Sequence, residues 1–456
     1  MNNAVATQLT QSHPGGWMPM DQAHVARWLQ RLRAHVAATP RALVPPIAEL
    51  KNLVASTPLL QAQAQAMFEE AWQREHETPL GQAQVRTFEE FLILLNGIMT
   101  TAPEAYQDVQ SQSPAGLIGF PVNALLNWPL ATGSGYLFFS NALINQQFKK
   151  ILCYWSLFLQ SPASRYVLTE RASLLDPDTL VVPWLGELAK REMVQVAGGA
   201  LGEGVNRTPD SFEQIFECDP AADYEGFASW DDFFTRTFRP GVRPVSSPAD
   251  EDVIVNACES APLQVQTGVS LGQPFWLKGQ AYSLENMLDF DETAPSFEGG
   301  TVYQAFLSAL SYHRWHSPVS GTIRKVRVVN GSYYLGNQYQ GFQDPDGADP
   351  SAPNNSQPFL TSVATRALIF IEADNPKIGL MCVVPVGMAE VSSCEITVQE
   401  GDRVKKGDQL GMFHFGGSTH CLVFRPGVEL AFDFYGQTPG LEATNLRVNT
   451  ALARVR

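Results

Sequence analysis

Apolar positions along the chain fall into two textures. From Asp21 to Ala38 they return at Val25, Trp28, Leu29 and Leu32, the three- and four-residue spacing that lines one face of a helix. Ile47 to Trp72 continues in that style, and Ser140 to Gln160 forms another helical stretch closed by Ser161-Pro162. Thr87-Phe88-Glu89-Glu90 precedes the apolar run Phe91 to Met99. A threonine followed three residues later by a glutamate is a capping-box signal, since both side chains can serve N–H groups that a first helical turn leaves unpaired. The first 170 or so residues therefore read as helical, their aromatic and aliphatic side chains as core.

From about Leu180 the periodicity shortens. A helical piece, Trp184 to Val194, leads through glycine-rich Gly198 to Gly204. Ser229 and Asp232 then repeat the capping box and predict a helix over Trp230 to Thr237, stopped by Pro240-Gly241. Beyond it the runs are short and β-type: Val253 to Asn256, Thr322 to Val329, Ala367 to Ala373, Gly379 to Val386, Cys394 to Val398 and Cys421 to Phe424. Turn residues separate them, as in an all-β core. Glu400 to Gly411 resembles the hairpin of lipoyl- and biotinyl-type sandwich domains, without a lysine displayed at a turn tip, and reads as scaffold. Gly336 to Pro358 is long, polar and rich in turn residues, a functional lid or a disordered stretch. The expected class is α+β, with a helical N-terminal domain over residues 1–180 and a β-rich, sandwich-like domain over residues 181–456.

Composition narrows the partners. The 456 residues are 45% hydrophobic and only 17% charged, which predicts a large buried interior. A net charge of −15, with no run of four or more basic residues, argues against nucleic acid and anionic lipid as partners. Six scattered cysteines with no Cys-x-x-Cys pair read as reduced, mostly buried thiols. Met1 to Met20 lacks the pattern of a secretory signal, and no apolar run reaches the roughly 18 residues that a membrane span needs. The default expectation is a soluble cytoplasmic protein.

Two constellations carry chemistry. In Tyr312-His313-Arg314-Trp315-His316-Ser317-Pro318, two histidines stand three apart with no third ligand at a metal-binding spacing. An arginine and two aromatics beside them suit an acid/base and carboxylate-binding site better. Asp344, Asp346 and Asp349 hint at a cation but lack the closing glutamate of a calcium loop, so no metal is expected. The second constellation is His414-Phe415-Gly416-Gly417-Ser418-Thr419-His420. A serine after two glycines can attack the carbonyl before it, because glycine tolerates backbone conformations that other residues resist. The resulting ester, on β-elimination with loss of ammonia, would leave a pyruvoyl group in place of Ser418.

Further strings fit the same picture. Asp232-Phe233-Phe234-Thr235-Arg236 with Arg239-Pro240-Gly241-Val242-Arg243-Pro244, Lys278-Gly279-Gln280-Ala281-Tyr282-Ser283-Leu284, the histidine motif and Gly416-Gly417-Ser418-Thr419 resemble, in order and spacing, the phosphatidylserine decarboxylase family. Ala257-Cys258-Glu259-Ser260, Phe370-Ile371-Glu372-Ala373-Asp374-Asn375 and Phe148-Lys149-Lys150 are similar to a soluble branch of it, the fungal tryptophan decarboxylases.

The resemblance implies a pyruvoyl-decarboxylase domain that cleaves itself between Gly417 and Ser418, leaving chains 1–417 and 418–456 associated. It implies that His316 or His313 takes the Ser418 proton, and that Glu259, standing where the family has an aspartate, orients the histidine. Decarboxylation of a free, aromatic, tryptophan-like amino acid would follow, with His313 as proton donor. Phe415, Trp315, Arg314 and His420 are expected around the substrate, and His414 is a weaker candidate. The alternative within the family is phosphatidylserine itself. An oligomer is compatible with all of this.

Overall fold

The structure is a computed structural model that describes residues 22–74, 84–110, 114–169, 173–176, 179–200, 211–272, 282–336, 356–390, 393–415 and 418–456. Seven helices of the first part run over Gln22–Ala38, Pro45–Ser56, Pro58–Arg74, Phe88–Ile98, Pro121–Leu130, Gly133–Ser140 and Ala142–Leu159. The stretch read as Ile47 to Trp72 is thus two helices, parted at Thr57, whose extended backbone ends the first before Pro58 opens the second. Thr87 caps the fourth helix, its hydroxyl accepting from the Glu90 amide at 3.1 Å. Glu90 completes only part of the box, because its carboxylate accepts from the Arg86 amide at 2.8 Å and from Arg33 Nε at 2.7 Å.

The helical region also carries a sheet that periodicity did not anticipate. Strands β1 (Glu104–Asp108), β2 (Pro114–Ile118), β3 (Ser173–Asp176) and β4 (Thr179–Val182) pair antiparallel in the order β2-β1-β4-β3. The strands are four or five residues long, too short to show alternation. The β1–β4 ladder also joins segments separated by four α-helices.

After the helices Glu187–Gly198 and Trp230–Phe234 the chain is mostly strand. It forms β5 (Val253–Val255), β6 (Ala261–Thr267), β7 (Thr301–Leu307), β8 (Arg314–His316), β9 (Gly321–Val329), β10 (Arg366–Ala373) and β11 (Leu380–Gly387). There follow β12 (Ser393–Ile396), β13 (Arg403–Val404), β14 (Gln409–His414), β15 (Ser418–Phe424), β16 (Leu430–Phe432) and β17 (Ala451–Val455). Seven strands make the main sheet in the order β13-β9-β10-β11-β15-β7-β6, and two three-stranded sheets, β12-β14-β8 and β16-β17-β5, flank it. Gly401 and Gly407, both near φ +90°, make the turns around β13 that the hairpin-like string called for.

One continuous apolar core takes in both the helices and the main sheet. Trp155, on the helix Ala142–Leu159, packs on Phe415 just before β15, and Trp184 packs on Trp230 at 4.8 Å between ring centroids. No helix among the described residues is long and apolar enough to cross a membrane. The Lys278 to Ala281 part of the family string, most of the Gly336 to Pro358 loop with its three aspartates, and Gly416-Gly417 lie outside the described residues.

Candidate active site

Ser418 is the first residue of β15, paired with Gly387 of β11 on one side and Leu307 of β7 on the other. The strand Ser-Thr-His-Cys-Leu-Val-Phe is buried along its whole length, as a central strand rich in apolar and β-branched residues should be. Ser418 and His420 share one face of the sheet, and Thr419 takes the other. Only Thr419 is satisfied: its hydroxyl donates to the Ala305 carbonyl at 2.9 Å and accepts from Gln304 Nε2 at 3.1 Å. Ser418 Oγ and both ring nitrogens of His420 are buried and have no hydrogen-bond partner among the described residues. Tyr303 lies on the same face, its ring 6.0 Å from His420, and its hydroxyl is likewise unmet. Each such group costs about 1–3 kcal/mol, so a cluster of them marks a place where folding alone does not explain the residue choice. Burial pushes the His420 imidazole down to about 3, so the ring is neutral at pH 7.

The approach to Ser418 is held by aromatics. Phe415 has φ +24°, which a bulky side chain rarely adopts and which costs on the order of 1–3 kcal/mol. Its ring is clasped by Trp155 at 4.8 Å, Phe234 at 5.7 Å and Trp230 at 6.1 Å. Phe234 in turn stacks on His313, with centroids 4.1 Å apart and planes 22° apart. His313 is fully buried just beyond the end of β7, whose last residue, Leu307, faces Ser418. Burial, helped by the Arg236 charge, holds its imidazole well below the ordinary range, so it too is neutral. Phe415 and His420 thus flank Ser418 along the chain, and His313 is linked to Phe415 through Phe234.

His316, Arg314 and Trp315 stand on β8. His316 Nδ1 lies 2.8 Å from the Gly407 carbonyl, and Nε2 lies 2.9 Å from the Tyr312 hydroxyl. Arg314 donates to the Thr235 carbonyl at 2.8 Å and to Gln409 Oε1 at 3.0 Å, tying β8 to β14. Trp315 is buried against Phe413 at 4.9 Å, and a Cβ on Gly411 would come within 2.7 Å of its ring. Its contacts are those of a core residue.

Glu259 is buried and ion-paired with Arg243, which also donates to the Ala197 carbonyl at 2.8 Å. Burial raises its carboxyl above the usual range despite that arginine. The structure therefore brings Glu259 to Arg243, while both ring nitrogens of His316 go to Gly407 and Tyr312. His414 is bracketed by Asp231 at 3.0 Å and Glu395 at 2.6 Å. Burial opposes its charge, but hydrogen bonds from Asp231 and then Glu395 win and raise it to about 9. It is a cation at pH 7 and a poor base.

Sequence reasoning missed Tyr303, Phe234, Asp231 and Arg243. Phe234 and Arg243 stood inside a quoted motif, but nothing local says that they meet His313 and Glu259. Among the described residues, no three His, Cys, Asp or Glu side chains gather as a metal site.

Two family models, both described as phosphatidylserine decarboxylase, match residues 230–438 and 44–193. The decarboxylase iboD of Amanita muscaria is 39% identical over 79% of this chain and 99% of its own length. The L-tryptophan decarboxylase of Psilocybe cyanescens is 37% identical over 81% of this chain and 83% of its own. Phosphatidylserine decarboxylase proenzyme 3 of Schizosaccharomyces pombe is 31% identical over 44% of this chain and 19% of its own. On these matches, and with a buried serine that has no partner among the described residues at the head of a central strand, the chain belongs to the phosphatidylserine decarboxylase family and is a decarboxylase.

Proposed function

We propose that this protein decarboxylates a free, aromatic, tryptophan-like L-amino acid, using a pyruvoyl group made from its own Ser418. The observation that carries the reading is the unmet Ser418 hydroxyl, buried directly after two glycines and free of any competing structural bond among the described residues. Self-cleavage starts when a neutral imidazole takes the Ser418 proton and Oγ attacks the Gly417 carbonyl, exchanging the amide for an ester. Elimination of the ester releases residues 1–417 with a new carboxylate, and hydrolysis then expels ammonia from the new N-terminus at 418. The pyruvoyl group would supply an electron sink for loss of CO2.

The remaining work falls to this chain's side chains. His313 is our choice for the proton transfers, being neutral, buried and packed through Phe234 onto Phe415. His316 is second, with its ring already committed. Glu259 would act indirectly, through Tyr312, whose phenol is raised mainly by burial and in smaller part by Glu259 and whose hydroxyl meets His316. Phe415 and His420 would face the substrate, with the domain boundary near residue 180 and the cleaved chains remaining together. Action on a dissolved substrate in the cytoplasm fits the net charge of −15.

Intact mass and CO2 release test the reading together. Fragments 1–417 and 418–456 and turnover of tryptophan are expected. A chain that stays full-length after long incubation, or turnover of phosphatidylserine alone, overturns it. The lipid reading draws on Leu137, Leu143 and Leu157, which are exposed on two consecutive helices. Flotation with anionic liposomes together with phosphatidylserine turnover would favour it.

A further inference from the structure

We propose that Glu390 holds the far end of the substrate, its second carboxyl oxygen accepting a hydrogen bond from an N–H on the substrate's aromatic ring. The inference rests on the free amino-acid reading.

Glu390 is 4% exposed, and one of its oxygens accepts from the backbone amides of Val122 at 2.5 Å and Asn123 at 2.9 Å. Those amides belong to the first turn of the helix Pro121–Leu130 and have no partner within the helix. The other oxygen, Oε2, has no partner among the described residues. Nor does the hydroxyl of buried Tyr334, whose phenol is raised first by burial and then by nearby Glu390. The Tyr334 ring packs on Phe148 at 5.1 Å and Phe139 at 5.9 Å. An apolar, aromatic setting with a few unmet polar atoms is how small-molecule pockets fix orientation.

A helix cap alone does not account for this residue. One oxygen already serves both amides, and the side-chain oxygen of a glutamine would do so as well. Burial pushes the Glu390 carboxyl up to about 8, so without a donor at Oε2 it keeps its proton at pH 7, and an N–H arriving there would favour the ionised, accepting form. Position supplies the link to the chemistry. Gly387 is the cross-strand partner of Ser418, and Ala389, at φ +52°, turns the chain off the strand towards the helical layer. Three residues of chain span at most about 10 Å, so Glu390 lies within reach of an aromatic amino acid whose α-carbon sits at residue 418. A buried polar group built for a donor discriminates strongly against analogues that lack it.

The test compares kcat/KM for L-tryptophan and N1-methyl-L-tryptophan in the self-cleaved wild type, Glu390→Gln and Glu390→Ala, with melting and self-cleavage measured alongside. Wild type should prefer tryptophan by about tenfold or more. Glu390→Gln keeps an oxygen for the helix amides and should cleave and melt like wild type. Its free end now carries an NH2, so the preference should collapse towards one through a higher KM for tryptophan. An unchanged ratio in Glu390→Gln overturns the assignment and leaves Glu390 as a cap, and so does a wild type with no preference. A processed wild type that releases CO2 from no free amino acid fails differently, since it removes the underlying function as well.

Discussion

The indole of Trp155 meets the ring of Phe415 edge-on, with centroids 4.8 Å apart, while its Nε1 donates to the Thr101 carbonyl at 2.9 Å. The indole is pinned by the helical layer on one side and presses on the residue three before Ser418 on the other. The unusual backbone of Phe415 is therefore held by a helix far upstream in sequence.

Trp155→Ala should lower stability by about 3–5 kcal/mol, the usual cost of removing a large buried aromatic. It should also slow self-cleavage, because Phe415 loses the wall that holds its φ. Urea titration and an electrophoretic time course measure both. Normal cleavage in a folded variant would mean that Trp155 does not set the backbone before Ser418.

Ser418→Ala removes a hydroxyl that has no partner among the described residues. Removing an unmet buried group is neutral or stabilising. The variant should remain one intact, inactive chain that melts no lower than unprocessed wild type. Cleavage of this variant would put the reacting serine elsewhere.

His313→Ala and His316→Ala separate the two histidines. If His313 is the base, its variant stays uncleaved while His316→Ala cleaves slowly and melts lower, because Tyr312 and Gly407 lose a shared partner. Intact mass over time decides between them. Blocked cleavage in His316→Ala alone would exchange the roles.

His414 gives a pH signature. Its imidazole is raised to about 9 in the folded chain, against about 6.5 when unfolded. Its stabilisation is therefore complete below about pH 6.5 and is lost as pH rises towards 9. The gap in urea midpoint between wild type and His414→Gln should shrink across that interval. A gap independent of pH would mean that the ion pairs with Asp231 and Glu395 contribute nothing.

Much of the fold was legible because its signals are local. Thr87 and Ser229 cap the helices that their positions announced, Ser229 accepting from the Asp232 amide at 3.1 Å. The β-type runs became strands with ends shifted by a few residues, and β15 starts earlier than its apolar stretch, at Ser418 itself. What stayed hidden depends on distant segments. The β1–β4 sheet, the Arg243–Glu259 pair and the Asp231–His414 contact join residues that share no local pattern. The partners of Ser418 were hidden for the same reason, since Leu307 and Gly387 come from separate strands.

Strand β15 lies between β11 and β7, inside the seven-stranded sheet, and β17 lies between β16 and β5. Both come after Ser418. Cutting the chain before Ser418 would sever one covalent link and leave every rung of those ladders in place. The short segment would stay woven through the larger one like a thread whose end has been snipped. The two pieces could part only by unravelling the sheet, so catalysis and the integrity of the subunit would share a single fate.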